Sequence, residues 1–331
     1  KELKCIVIDR TELILAVFGK RAQTREAKIQ ISLASFKYQL PRLKKLWTHL
    51  GRQKVGGGGS GGYLKGEGEK QIEIDRRILR RKISKLHKDL DHIKNQRHLQ
   101  RKQRQKKAIP TFAIVGYTNA GKSTLLKLLT DADVFVEDKL FATLDTTTRK
   151  FTLPNKQEIL LVDTVGFIRK IPHNLVAAFK STLEEAAYCD ILIHLIDISN
   201  PDVEEMIEAT FSVLKELQAD DKPMITVFNK IDKCDQEEKK LANKLKFSFQ
   251  KPIFFSCIEK QGVDELVSEM EKKLSQLRRK VELKIPQSHY SLVSELIKKG
   301  RVISCEYVDN DILLTIEIPS NLEYKIKDFI L

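Results

Sequence analysis

The chain has 331 residues and a mass of 38.1 kDa, which predicts two to three domains and at least one sizeable hydrophobic core. Hydrophobic residues make up 41% and charged residues 31%, a balance that excludes a disordered or fibrous protein. The formal net charge is +14, and residues 1–110 carry it, with 29 basic and 10 acidic side chains. Such a basic block is typical of a surface that meets nucleic acid or an anionic membrane.

Cysteine usage and apolar runs predict a cytoplasmic protein without a membrane span. The five cysteines are scattered and form no C-x-x-C pair, so we expect neither a disulfide framework nor a zinc site. No apolar run approaches the roughly 20 residues that cross a bilayer, and the first residues do not resemble a secretory leader. Because the chain begins with Lys1 rather than methionine, we expect it to be a fragment of a longer protein.

The N-terminal residues predict two strands followed by a helix. Residues 5–8 and 13–18 are expected to form strands on either side of a D-R-T turn at 9–11. From Thr24 onward, apolar residues recur in steps of three and four, which is the spacing of one helix face. Pro41 lies inside this pattern, so we expect a kink or a break there.

A glycine-rich segment separates this helix from a second apolar stripe. Residues 55–68 hold eight glycines in fourteen positions and predict a flexible loop. The stripe at 79–93 again has helical spacing, so the two stripes predict an antiparallel helical hairpin with a narrow apolar seam. The Lys and Arg run at 97–107 is either a solvated helix end or a direct RNA contact, and the sequence leaves both interpretations open.

From Pro110 the pattern changes to apolar strands that alternate with amphipathic helices, which predicts an α/β fold with a mostly parallel sheet covered on both faces. Pro154-Asn155 predicts a hairpin turn and hence one antiparallel edge strand. Strands are predicted at 112–115, 150–153, 158–162, 191–196, 224–228 and 253–255, and helices beginning at Lys122, near Asn174, near Asp202, near Asp235 and at Val263. Residues 281–331 follow a β-α-β-β pattern and predict a small α+β domain.

Residues 116–123 match the phosphate-binding pattern G-x-x-x-x-G-K-[ST] between a predicted strand and a predicted helix. The glycines let the loop curl so that its N–H groups point at phosphate oxygens, and the helix N-terminus favours bound anions. Lys122 is expected to reach the β- and γ-phosphates, and the Ser123 hydroxyl to ligate Mg²⁺. The predicted nucleotide contacts here are Gly116, Tyr117, Thr118, Asn119, Ala120, Gly121, Lys122, Ser123 and Thr124.

Two further segments are expected to face the γ-phosphate. The D-T-V-G segment closes the third predicted strand and consists of Asp163, Thr164, Val165 and Gly166. Asp163 is expected to hold Mg²⁺ through water, and the Gly166 N–H to contact the γ-phosphate. Residues 141–148 should supply a threonine that completes the Mg²⁺ shell. Position alone leaves four candidates, namely Thr143, Thr146, Thr147 and Thr148.

Two later elements indicate guanine. Asn229, Lys230 and Asp232 belong to an N-K-x-D motif at the end of the fifth predicted strand. The Asp232 carboxylate can accept hydrogen bonds from N1–H and N2–H₂ of guanine together, and adenine offers no such pair of donors. Ser256 and Cys257 follow the sixth predicted strand, where a backbone N–H is placed to donate to guanine O6. This set predicts a GTP site.

The blocks G-Y-T-N-A-G-K-S, L-F-A-T-L-D, D-T-V-G-F-I and N-K-I-D resemble those of the HflX family of ribosome-associated GTPases. So do D-R-T at 9–11, L-W-T-H-L at 46–50 and the glycine-rich segment that runs into 66–77, so the resemblance covers nearly the whole chain. It implies that Thr143 is the Mg²⁺-sensing threonine of switch I and, with Lys122 and Gly166, serves catalysis. The resemblance also implies nucleotide contacts by the residues around Thr143, namely Phe141, Ala142, Leu144 and Asp145.

The resemblance also implies a domain order and a function. We expect a truncated N-terminal domain at 1–70, a basic helical arm at 71–109, a GTPase domain at 110–280 and a small C-terminal domain at 281–331. The expected protein is a monomer that binds the large ribosomal subunit through rRNA and splits or rescues stalled ribosomes. Two alternatives stay open: a GTPase of ribosome assembly or tRNA processing, and a non-enzymatic RNA-binding scaffold with a structural nucleotide pocket.

Two residues leave the mechanism open. Many related GTPases orient the attacking water with a glutamine after the D-x-x-G glycine, but Phe167 holds that place here and cannot hydrogen-bond. It either leaves the water to a partner or simply packs beneath the switch, and in both cases we expect slow intrinsic hydrolysis. Asn119 is expected either to ligate K⁺ near the phosphates, as in several related GTPases, or to stabilise the loop.

Overall fold

The computed structural model describes residues 7–43, 64–106, 109–130, 146–167, 185–235, 244–245, 249, 251–319 and 323–331. The described residues belong to two compact units, one drawn from residues 1–99 and the other from residues 100–169 and 182–331. Several predictions lie outside the described residues, namely the strand residues 5–6, Trp47, the glycine run 55–63, the switch residues 141–145, and the helix near Asn174. Most of the helix expected after Asp235 lies outside them too.

The first unit begins with a helix where the sequence predicted a strand. Helix α1 spans Arg10–Arg21, so the strand expected at 13–18 is wrong. The Asp9 side chain accepts the Glu12 N–H at 2.9 Å and caps the helix. Ile14, Leu15 and Phe18 are the buried residues of this helix, and their spacing is that of one helix face. The spacing is hidden in the sequence because the whole run is apolar. The predicted D-R-T turn is therefore a helix start.

The two apolar stripes of this unit pack together as predicted. Helix α2 spans Arg25–Gln39, and a 3₁₀ turn at Leu40–Arg42 holds Pro41, which confirms the break. Helix α3 spans Leu64–Lys106, and it begins inside the segment predicted as loop, because a long helix tolerates the cost of about 1 kcal/mol for each interior glycine.

The seam between α2 and α3 is narrow and apolar. Ile29 and Leu33 of α2 pack with Leu90 of α3, flanked by half-buried residues of the second stripe. At one end the Glu26 carboxylate lies 2.8 Å from the Arg97 guanidinium, and at the other Lys82 lies over the Phe36 ring. The start of α2 thus faces the later part of α3, which confirms an antiparallel hairpin.

The second unit contains a six-stranded sheet. Its elements are β1 (Thr111–Val115), α4 (Lys122–Thr130), β2 (Thr147–Thr152), β3 (Glu158–Asp163), β4 (Ile191–Asp197), α5 (Val203–Glu216), β5 (Met224–Asn229), β6 (Ile253–Phe254) and α6 (Val263–Gln276). The strand order is β2-β3-β1-β4-β5-β6. Only β2 is antiparallel among these six, paired with β3 through the predicted hairpin turn. We call this sheet and its helices the G domain.

The G-domain core explains why its strands are apolar along their whole length. All six residues from Ile191 to Ile196 of β4 are buried, including His194. A parallel strand inside a sheet is covered on both faces, so an unbroken apolar run is expected there. Burial lowers the pKa of His194 to about 3, and its ring meets Phe211 edge to face.

A smaller sheet completes the second unit and confirms the predicted β-α-β-β pattern. Its elements are β7 (Arg278–Pro286), α7 (Tyr290–Lys299), β8 (Arg301–Val308), β9 (Asp311–Pro319) and α8 (Glu323–Ile326). The strand order is β7-β9-β8, antiparallel throughout. Val293 and Leu296 of α7 pack on its buried face. None of the helices in the described part of the chain is both long and apolar enough to cross a bilayer.

Candidate nucleotide site

The phosphate loop connects the end of β1 to the start of α4. Gly116 has φ +151°, and a Cβ there would lie 2.2 Å from the Leu195 carbonyl oxygen of the neighbouring strand. Gly121 has φ +98°, and a Cβ there would lie 2.4 Å from Asn229 Nδ2. Both positions require glycine for space as well as for backbone conformation. Asn119, between them, is also left-handed with φ 65°.

Lys122 is buried beneath this loop. Its Nζ donates to the carbonyl oxygens of Gly116 at 3.2 Å and Tyr117 at 2.8 Å. Desolvation lowers the pKa of Lys122 to about 8, while the nearby Asp163 carboxylate opposes that shift. A buried ammonium at the loop is suited to an anionic ligand, because phosphate oxygens would offset its desolvation cost.

Ser123 and Asp163 meet at the bottom of the loop. The Ser123 hydroxyl donates to Asp163 Oδ2 at 2.7 Å, and Asp163 is fully buried at the end of β3. A hydroxyl beside a carboxylate is a pair of hard oxygen donors, which is the ligand type that Mg²⁺ prefers. The two predicted metal-binding residues are therefore adjacent, and their chemistry fits the ion.

The D-x-x-G segment lies against the phosphate loop through its backbone. Phe167 N–H donates to the Gly116 carbonyl at 3.1 Å, and Thr118 N–H donates to the Phe167 carbonyl at 2.8 Å. A Cβ at Gly166 would lie 2.7 Å from Thr118 Cα and 2.9 Å from Lys122 Nζ. Gly166 is thus confined between loop and lysine.

Three further side chains in or directly after this segment are buried. The Phe167 ring is 1% exposed, as the packing interpretation predicts. The Thr164 hydroxyl donates to the Ile114 carbonyl at 2.7 Å, and Val165 is buried as well. These contacts fix the start of the segment to β1, on the side where the loop begins.

Asn229 joins the phosphate loop to the guanine elements. Its Nδ2 donates to the Ala120 carbonyl at 2.7 Å, and its Oδ1 accepts the Cys257 N–H at 3.3 Å. Asn229 is 1% exposed; its bond to Ala120 is buried and its bond to Cys257 is partly buried. The sequence places Asn229 in the motif but does not indicate this bridging role.

Asp232 is oriented by Ser256. The Ser256 hydroxyl donates to Asp232 Oδ1 at 2.6 Å and accepts the Glu259 N–H at 3.1 Å. Cys257 follows, and burial raises the pKa of its thiol to about 12, so the thiol stays protonated at neutral pH. The N-K-x-D turn and the loop after β6 therefore form one structure, as their order in the sequence predicts.

The sequence also did not indicate an ion pair at this edge of the sheet. Lys230 Nζ lies 2.7 Å from Asp197 Oδ2, at the end of the neighbouring strand. Asp197 lies opposite Asn229 in the parallel β4–β5 register. A carboxylate at the carboxyl end of a buried strand is a signal that could have found it, because such ends meet at one sheet edge.

The described residues thus bring together the phosphate loop, the D-x-x-G segment and the guanine elements at one edge of the G-domain sheet. Thr124 lies in the first turn of α4, directly after Ser123. The switch I prediction, with Thr143 at its centre, lies outside the described residues. A phosphate loop and a guanine-type turn on a mostly parallel sheet define a P-loop GTPase.

Known proteins narrow this class to a family. A family model described as 50S ribosome-binding GTPase matches residues 111–230, and one described as GTP-binding GTPase Middle Region matches residues 21–104. The GTPase HflX of Chlamydia pneumoniae is 48% identical over 330 residues, which cover 100% of this chain and 69% of that protein. The GTPase HflX of Escherichia coli is 40% identical and covers 95% of this chain and 72% of that protein.

A solved structure of a GTP-binding protein is also similar to this chain. A GTP-binding protein from the hyperthermophilic archaeon Sulfolobus solfataricus, in complex with GDP, is 30% identical with a TM-score of 0.51. The match covers 82% of this chain and 73% of that one. The chain belongs to the HflX family of ribosome-associated GTPases; it binds GTP and GDP and hydrolyses GTP.

Proposed function

We propose that this GTPase binds the large ribosomal subunit and uses GTP binding and hydrolysis to dissociate or rescue stalled ribosomes. The family model over the G domain, described as a 50S ribosome-binding GTPase, is the observation that carries the partner. The basic side chains of the helical hairpin support rRNA as the part of the subunit that this protein contacts. Splitting, as opposed to any other ribosomal role, is the finer part of the proposal and needs its own test.

Each nucleotide-site residue has a proposed role that its surroundings support. Lys122, buried and positive, contacts the β- and γ-phosphates, and the Gly166 N–H contacts the γ-phosphate. Ser123, Thr143 and, through water, Asp163 would hold Mg²⁺, which would neutralise charge on the phosphates. Asp232, held by Ser256, accepts the two guanine donors.

Intrinsic hydrolysis is proposed to be slow. Phe167 occupies the position after the D-x-x-G glycine, and its buried ring cannot hydrogen-bond to a water. Among the described residues around the loop, neither the sequence nor the structure offers a glutamine that could orient the attacking water. An ordering partner is therefore needed, and we assign that role to the large subunit.

Potassium is a further proposed cofactor. The Asn119 side chain is exposed on the loop and makes no hydrogen bond to another described residue, so the loop-stabilising interpretation has no contact to support it. An exposed amide oxygen on the phosphate loop is a suitable K⁺ ligand. Hydrolysis should be faster in KCl than in NaCl, and equal rates would remove potassium from the mechanism.

The rRNA-binding surface is proposed to be the exposed face of α3. From Arg76 to Lys106 this helix holds 13 basic and 2 acidic residues, and its apolar stripe is turned to α2. Seven of the basic side chains between 77 and 94 are exposed. Phosphate contacts of this kind bind without reading sequence, and their affinity falls steeply with salt.

The role of this face is tested with a charge reversal. We expect Arg80→Glu, Arg81→Glu and Lys85→Glu together to weaken large-subunit binding and to reduce its log–log salt slope by about two to three. GDP affinity should not change. The matched control reverses three exposed lysines of the second unit, Lys215, Lys272 and Lys327. If both triple variants lose the same binding, the α3 surface is not the contact.

Splitting and the assembly alternative are separated on sucrose gradients. Intact ribosomes incubated with the protein and GTP should resolve into subunits, and deletion of residues 56–62 should abolish this while sparing GTP binding. Unchanged ribosomes, with binding restricted to immature large subunits, would favour the assembly role instead. Single-turnover hydrolysis in the presence of ribosomes excludes the non-enzymatic scaffold if GTP is consumed.

A further inference from the structure

A charged pair joins the lysine of the N-K-x-D motif to Asp197, a residue outside the sequence motifs. Lys230 Nζ lies 2.7 Å from Asp197 Oδ2, and the two side chains are 17% and 13% exposed. Partly buried ion pairs hold a fixed geometry more firmly than exposed ones, because water and salt screen them less. The pair spans two neighbouring strands, β4 and β5.

Asp197 is itself held in place. Its Oδ1 accepts the Ser199 hydroxyl at 2.7 Å and the Ser199 N–H at 3.2 Å, so its two carboxylate oxygens have separate partners. One oxygen is thereby fixed by its own chain, and the other faces Lys230. An aspartate anchored in this way can restrain the lysine rather than follow it.

Lys230 needs such a restraint. Its backbone is left-handed, with φ 66° and ψ 33°, a conformation that residues with a Cβ seldom adopt. The residue begins the 3₁₀ turn Ile231–Lys233, which contains Asp232. The Lys230 carbonyl accepts the Lys233 N–H at 3.0 Å, so the lysine's backbone sets the course of this turn.

The strand end is coupled to the same turn through the backbone. Ile198 N–H donates to the Asn229 carbonyl at 3.1 Å, directly before the left-handed residue. Asp197 therefore contacts the Lys230 side chain, and Ile198 contacts the Asn229 carbonyl. The end of β4 thus holds both residues that lead from β5 into the turn. On the far side, Ser256 orients Asp232.

We propose that Asp197 is a positioning residue for guanine recognition. It holds Lys230 in its left-handed conformation, and this aims the Asp232 carboxylate at the N1–H and N2–H₂ donors of the base. The inference rests on the proposed assignment of Asp232 to guanine. Asp197 touches no nucleotide in this account and acts through the turn alone.

The test compares GDP with inosine diphosphate, which lacks the 2-amino group. Their ratio of dissociation constants reports the hydrogen bond from N2–H₂ to Asp232, and a bond to a charged group predicts a ratio on the order of ten to a hundred for the wild-type chain. Asp197→Asn keeps the size of the side chain and removes its charge. We expect the ratio to shrink by about threefold or more.

If Asp197 had a purely structural role, Asp197→Asn would weaken the binding of GDP and of inosine diphosphate by the same factor. The ratio of their dissociation constants would then stay unchanged, and this result would overturn the proposal. A wild-type chain that does not distinguish the two nucleotides would instead refute the assignment of Asp232. Ser199→Ala releases Asp197 more mildly, so it decides the matter if Asp197→Asn does not fold. Its ratio should be smaller than that of the wild type, and an unchanged ratio contradicts the proposal.

The matched control is Glu204→Gln. Glu204 also pairs with a lysine of the G domain, but at 3.9 Å and with side chains 57% and 77% exposed, and it lies on α5. The substitution Glu204→Gln removes one carboxylate charge from the same domain and leaves the turn that holds Asp232 unchanged. Its GDP-to-inosine ratio should equal that of the wild type.

Discussion

Replacing Asn229 with alanine should destabilise the G domain by about 2–5 kcal/mol. The change removes the donor to the Ala120 carbonyl and the acceptor of the Cys257 N–H, at 2.7 and 3.3 Å. The bond to Ala120 is buried, so water cannot readily replace that partner, whereas the Cys257 N–H is only partly buried. Each buried group left without a partner costs about 1–3 kcal/mol.

Thermal unfolding of the nucleotide-free protein measures this cost. For a domain of this size, 1 kcal/mol corresponds to about 2–4 °C in the midpoint, so a fall of about 4–20 °C is expected. Saturating GDP should stabilise the variant less than the wild type, because weaker binding gives less stabilisation at equal ligand concentration.

Two further variants make the prediction specific. Asn229→Asp keeps an acceptor for Cys257 but sets a buried carboxylate oxygen against the Ala120 carbonyl oxygen, so its midpoint should fall at least as far as that of Asn229→Ala. Asn200→Ala is the control, because the Asn200 side chain makes one hydrogen bond, to the Asp202 N–H, and lies at the surface. A fall for Asn229→Ala no larger than that of the control would refute the bridging role.

Two other predictions concern residues of the same site. Burial lowers the pKa of Lys122 to about 8 from its ordinary 10.5, so between these values the unfolded chain binds more protons than the folded one. The midpoint of nucleotide-free wild type, relative to Lys122→Met, should therefore rise from about pH 8 to 10.5, and a constant difference would contradict the burial of a charged lysine. Phe167→Gln should lower the midpoint and leave intrinsic hydrolysis slow, because position 167 is directed into the core; a faster rate in a single-turnover assay would contradict this.

The nucleotide site was largely predictable because its chemistry is local in sequence. The phosphate loop needs glycine where a Cβ would collide, and the sequence shows those glycines at 116 and 121. The strand-to-helix context of the loop follows from periodicity, and it was confirmed by β1 and α4.

Contacts between distant segments were not predictable in the same way. The bridging bonds of Asn229 and the pair between Asp197 and Lys230 depend on strand order and register, which periodicity does not give. Knowing that β4 and β5 are parallel neighbours would have placed Asp197 opposite Asn229. Side-chain partners across a sheet follow only once that order is known.

The error at α1 has a different cause. A run of six apolar residues from Leu13 to Phe18 fits a buried strand and a buried helix equally well. The D-x-x-E spacing of Asp9 and Glu12 was the decisive signal, because an aspartate accepting the N–H three residues later starts a helix. Capping outweighs β-propensity in so short a run.

The central claim is that the large ribosomal subunit is the partner that completes this GTPase, and titration of that subunit into single-turnover GTP hydrolysis tests it most directly. We predict that the rate rises with subunit concentration and saturates, and that the Arg80→Glu, Arg81→Glu, Lys85→Glu variant needs a higher concentration to reach the same rate. A rate that stays flat across the titration would contradict the claim.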